Sequence, residues 1–232
     1  MFDSTHIISR DRAIYERLKE VFGSDFKIAK TILLRLEEIK NNKTLYKFSY
    51  RGTDTFSDAP EFLLPQEDVH VVTAIKLALC KYDKAKKGNF LPYQYPSEEV
   101  FGAAQAVDLL AAFNSRLRAR LDETIELDNM STAPFLKIPE TQKRAAVANV
   151  SAVNTFPQYE WEDGLVELEP ALVMNGGRKN LIELSLPEFT STPAWEAASN
   201  NDHHFALYLQ GYTISSAAKS HYDQIRDVIR GV

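Results

Sequence analysis

The sequence predicts an α+β protein that is mainly β: an antiparallel β-sandwich or jelly-roll-like body with N-terminal helices and a C-terminal helix. Three observations lead there. After residue 43, apolar and polar residues alternate in six or so short runs, the pattern of strands buried on one face. Most of the ten prolines fall between those runs, where strands would end. Helical patterns gather at the two ends of the chain instead of following each strand, which argues against a wound parallel sheet. The division expected is a helical segment over 1–43 and a β-sandwich domain with short helices and long loops over 44–232.

In the first segment Ile14, Leu18, Val21 and Phe22 recur at spacings of three and four after a candidate cap at Ser9, and Gly23 closes that helix. Ser24 and Asp25 are placed to cap a second helix carrying Ile28, Ile32, Leu36 and Ile39 on one face. TLYKFSYRG then alternates with a period of two, setting Tyr46, Phe48 and Tyr50 on one side. VHVVTAIKLALCKYD reads as a strand with Val69, Val71, Ile75, Leu77 and Leu79 on one parity. Gly88, Pro92 and Pro96 predict a long loop over residues 84–97, whose Phe90, Tyr93 and Tyr95 pack either on their own sheet or on a neighbouring subunit.

AAQAVDLLAAF predicts a short helix, and SRLRARLDETIELDN a hairpin or bent strand pair turning at Asp122 and Glu123. LVELEPALVM and LIELSL flank NGGRKN and predict a second hairpin. FALYLQGYTI predicts a further strand, and HYDQIRDVIR a closing helix with Tyr222, Ile225, Val228 and Ile229 on one side.

The net charge of −5 and pI near 5.6 do not describe a surface made to hold a nucleic-acid backbone. The first 50 residues do carry ten basic against seven acidic side chains, so a nucleic-acid partner is possible but not favoured over ordinary solvated faces. Cys80 is the single cysteine; no internal disulfide can form, and synthesis in a reducing cytoplasm is expected. The opening residues lack the basic end and apolar run of a signal peptide, and no stretch reaches the roughly 18 to 20 apolar residues that a membrane span needs.

No phosphate-binding glycine motif or nucleophile elbow is present, and Gly176-Gly177 lies between two strand patterns. Asp202-His203-His204 is the one cluster resembling a metal site, but adjacent strand residues face opposite ways, so a polar loop end is favoured. Cys80 sits in an apolar run and reads as a buried structural thiol. No catalytic, cofactor or metal residue is therefore assigned. Arg116, Arg118 and Arg120 share one parity, and three arginines so placed meet the acidic surface of another copy or protect a sheet edge.

The strand VVTAIKLAL, the loop FLPYQYPSEEVF, the phrase FLKIPETQ and the run LVELEPALVMNGGRKNLIELSLP together resemble jelly-roll capsid-type structural proteins of bacteriophages. That resemblance implies a virion component made in the host cytoplasm, packing against copies of itself and other virion proteins through helices and long loops. The chain is short for a double jelly roll, which points to a single sandwich with helical additions. The leading expectation is a non-enzymatic structural subunit with Phe90, Tyr93, Tyr95, Arg116, Arg118 and Arg120 as contact candidates. The alternative is a carbohydrate-binding or enzymatic sandwich using Tyr159, Trp161 and Trp195 as an aromatic platform.

Overall fold

The computed structural model describes residues 4–51, 61–83, 90–138, 164–188 and 201–231. Helix α1 (Ser4–Phe22) is followed by strands β1 (Ile28–Glu38), β2 (Leu45–Ser49), β3 (Val69–Asp83) and β4 (Phe90–Tyr93). Helices α2 (Glu98–Phe101) and α3 (Ala103–Leu109) lead to β5 (Arg116–Leu121) and β6 (Thr124–Ser131). The chain continues through β7 (Val166–Asn175), β8 (Asn180–Ser185), β9 (Asn201–Ile214) and helix α4 (Tyr222–Arg230).

Two antiparallel sheets form. In the first the order is β1-β9-β3, with β7 and β4 pairing successive halves of β3; in the second it is β2-β8-β5-β6. The pairings β1·β9, β2·β8, β3·β7 and β5·β6 run inward from the two ends of the sheet-forming chain. Apart from β4, which stays beside β3, this is one long hairpin wrapped so that successive strands of each arm fall in alternate sheets, the wiring of a jelly roll. The α+β, mainly β sandwich expected from the sequence is the fold observed.

The core lies between the sheets. Tyr46, Phe48, Leu117, Ala119, Ile182 and Leu184 from the second sheet meet Ile75, Leu77, Leu79, Phe205, Leu207 and Leu209 from the first, all fully buried. The outer face of the first sheet is also covered. Ile14, Leu18 and Phe22 of α1 and Tyr222, Ile225 and Ile229 of α4 pack on Val69, Val71, Val173, Tyr212 and Ile214. The helical stripes read at both chain ends are the stripes that dock, although α1 begins at Ser4, so Ser9 lies within the helix and is not its cap.

Four local expectations need correction. The second helix expected after Ser24 is strand β1, which pairs with β9 from Ile28↔Ile214 to Glu38↔His204. Leu33 faces the core while Leu34 and Leu36 are buried on the opposite face. A strand apolar on both faces loses its alternation, and its residues then also satisfy a three-to-four spacing. In β3 the single parity breaks at a bulge between Val72 and Ala74, so Val69 and Val71 face the helices whereas Ile75, Leu77 and Leu79 face the core.

The expected hairpin around Gly176-Gly177 does not form: β7 belongs to the first sheet and β8 to the second. The turn is a crossing between layers. Gly176 donates to the Asp68 carbonyl at 2.9 Å, and a Cβ there would lie 1.8 Å from the Pro65 carbonyl oxygen. Pro92 does not keep its segment out of the sheet either. It stands opposite Cys80 in the short outer strand β4, a position where a missing N–H is tolerated.

The β3 bulge is where α1 is fastened. Asp11 accepts from Thr73 Oγ1 at 3.1 Å and pairs with Lys30 at 2.6 Å, and its carbonyl accepts from Tyr212 Oη at 3.2 Å. Asp11→Ala removes the two side-chain contacts and keeps the third. The expected loss is about 1 kcal/mol, read as a lower urea midpoint with an unchanged slope.

Candidate subunit-contact face

The outer surface of the second sheet carries the three arginines. Leu117, Ala119 and Leu121 of β5 point into the core, so the pleat turns Arg116, Arg118 and Arg120 to the outside. Asp122 and Glu123 make the two-residue turn to β6 with φ of 48° and 71°, the left-handed pair that a tight hairpin requires. The hairpin read from SRLRARLDETIELDN is thus present. The edge-protection reading is not, because β5 lies inside the sheet between β8 and β6. The edge strand beside it is β6, which is irregular: its register with β5 shifts twice and Asn129 has a φ of 56°.

Three rows of side chains cross this face. The middle row is Lys47, Glu183, Arg118 and Asp128, one from each strand. Lys47 and Glu183 are register partners 3.9 Å apart, Glu183 is opposite Arg118, and Arg118 donates to Asp128 at 2.8 Å. The hydrogen bond to Asp128, then the carboxylate charge, raises the Arg118 pKa above its ordinary value. Asp128 reaches Arg118 because the β6 bulge sets two residues opposite one. The outer rows are Leu45, Ser185, Arg116, Ser131 and Ser49, Leu181, Arg120, Ile125. Leu45 and Ile125 are exposed, and so are Arg116 and Arg120.

The other candidates are placed elsewhere. Tyr93 is half-buried and meets the Phe101 ring edge-on at 5.7 Å, so it packs on its own domain; burial raises its hydroxyl pKa. Tyr95 is half-buried beyond the end of β4, and only the backbone of Phe90 is described. Strand β4 belongs to the first sheet, whereas the arginines lie on the second. Tyr159, Trp161 and Trp195 lie outside the described residues.

The histidine pair belongs to β9, not to a loop. His203 is buried against Phe101 at 5.0 Å and His204 projects from the opposite side of the strand. Among the described residues no group of three His, Cys, Asp or Glu is placed to hold a metal ion. Cys80 is buried beside Leu34, Ala78, Ala206 and Tyr208, and desolvation raises its thiol pKa well above the usual range. In the basic first segment, Arg17, Lys30, Arg35, Lys40 and Lys43 each pair with a carboxylate. No helix among the described residues is long and apolar enough to cross a membrane.

One titratable group escaped the sequence reading. His70 is wholly buried, with Nδ1 at 2.9 Å from Thr213 Oγ1 and 3.3 Å from Thr31 Oγ1. Burial, opposed by the Leu209 carbonyl, lowers its pKa to about 4. It lies on the segment of β3 ahead of the bulge, and the mixed parity of that run hid its inward side. Compared with protein-family models, curated proteins and solved structures, the chain finds no match.

Proposed function

We propose that this protein is a non-enzymatic structural subunit of a virus particle or similar assembly, acting through contacts between copies of itself. The observation that carries the reading is the asymmetry of the sandwich. Two helices cover one half of the outer face of the first sheet, whereas among the described residues no helix packs on the outer face of the second, which turns three arginines, two carboxylates and a lysine to the outside. A charged sheet face left open is suited to meeting a surface of matching charge. The jelly-roll wiring supports the reading by analogy of fold, since viral shell domains share it with lectins and other sandwiches.

Light scattering on the eluting protein, from about 10 μM to about 0.5 mM, tests this over the range where weak subunit contacts report. The mass should climb to a multiple of 26.3 kDa. A strict monomer throughout would remove the proposal.

A further inference from the structure

The charges of the middle row alternate in a particular way: Lys47 positive, Glu183 negative, Arg118 positive, Asp128 negative. Read backwards, the row is its own opposite. We infer that the open face of the second sheet binds the same face of a second copy, about a two-fold axis running parallel to the strands between β8 and β5. The inference rests on the proposed role of this face as a subunit contact, and it names the partner and the geometry.

Such an axis reverses the order of strands across the contact and leaves position along each strand unchanged. Glu183 then stands over the partner's Arg118, and Lys47 over the partner's Asp128. Each copy supplies both members, so four opposite-charge pairs form and none of like charge, as an isologous contact requires. In the outer rows Leu181 meets the partner's Arg120, Ser185 the partner's Arg116, Leu45 the partner's Ser131 and Ser49 the partner's Ile125. No two cations face each other there, and a leucine lies under each arginine stem of one row.

The perpendicular axis, running across the strands, fails on charge. It would set Arg118 over the partner's Arg118, Lys47 over the partner's Lys47 and Arg116 over the partner's Arg120. Like charges so juxtaposed exclude that arrangement. The pattern therefore selects one axis out of two that shape alone would accept. Sheet twist spoils alignment progressively away from the axis, so the Glu183 and Arg118 pair beside it is the most dependable.

Four strands about 4.8 Å apart and five residues of about 3.3 Å give a footprint of about 300 Å² per copy. That is below the roughly 800 Å² of a standard interface, so the contact is weak and sensitive to salt. The measurement belongs at high protein concentration and low ionic strength.

The test is a mixing experiment with two single variants, Arg118→Glu and Glu183→Arg, both checked for folding by circular dichroism. Alone, each places like charges beside the axis, and sedimentation velocity should show dimer dissociation constants at least about tenfold above wild type. Mixed in equal amounts, the two variants form a heterodimer in which both pairs beside the axis are of opposite charge. The Glu183 kept by the first variant stands over the Arg118 kept by the second, and the introduced glutamate stands over the introduced arginine. The mixture should return to within about threefold of wild type. Misfolding of either variant cannot produce that recovery. A mixture that stays as dissociated as its components would overturn the inference. Wild-type assembly unaffected by either substitution would also overturn it while leaving the subunit reading in place, and a wild type that remains monomeric would remove both.

Discussion

Replacing Gly211 by alanine is expected to destabilise the protein by about 3 kcal/mol or more, enough to remove much of the stability of an ordinary domain. Gly211 sits in β9 opposite Val72 and Thr31, where the β3 bulge drives one backbone toward the other. A Cβ at that position would lie 1.8 Å from the Val71 carbonyl oxygen and 2.8 Å from its carbon. Both are backbone atoms, so no side-chain rotation relieves the overlap, and two strands of the first sheet must separate. Chemical denaturation gives the magnitude. Gly231→Ala is the control, because nothing lies nearer than 3.6 Å to its added Cβ and its stability should equal that of wild type.

Acid should weaken the fold through His70. The folded state holds the imidazole neutral with its pKa lowered to about 4, whereas the unfolded chain takes up the proton near the ordinary value of 6.5. Between those values the unfolded state binds more protons, so stability falls as pH falls through that window and is full above it. At about 1.36 kcal/mol per pH unit across the window, the loss amounts to about 3 kcal/mol. Carboxylates titrate in the same region, so the informative quantity is a difference. His70→Gln should lower stability at about pH 7 and also flatten the loss between there and about pH 4.5. Equal losses in wild type and variant would mean that His70 does not carry the effect.

The class of the fold was legible because alternation survives wherever one face is buried and the other wet. Strands β2, β5 and β8 all belong to the second sheet, which is open outside, and all three were read correctly. The first sheet is buried on both faces; β3, β7 and β9 were still legible there as strands, but two readings failed. β1 took on the appearance of a helix, and the β3 bulge joined two faces into one apparent parity. The Gly176-Gly177 turn shows a different limit. Its residues specify a tight reversal, but whether two strands then pair or diverge into separate layers depends on Pro65 and Asp68, far away in sequence.

The candidate face was half visible in the same way. Arg116, Arg118 and Arg120 announce an outward parity on their own strand. Their partners do not, because Lys47, Glu183 and Asp128 come from three other strands and only the register aligns them. Asp128 in addition needs a bulge that no residue of ELDNMS signals by itself. The aromatic segment went the other way: prolines marked Tyr93 as a loop residue, yet it belongs to a short outer strand and leans on Phe101.

The claim that copies meet through the second sheet is tested most directly by a footprint. Ser185→Cys places a thiol within the face, and Lys219→Cys places one at a site 86% exposed outside that sheet, while the native Cys80 is buried. Labelling with a thiol reagent is compared between dilute protein and protein at the concentration where scattering reports assembly. The Ser185→Cys rate should fall about tenfold on assembly while the Lys219→Cys rate holds, since a docked face excludes reagent as it excludes water. Unchanged labelling at Ser185→Cys in an assembled sample would contradict it.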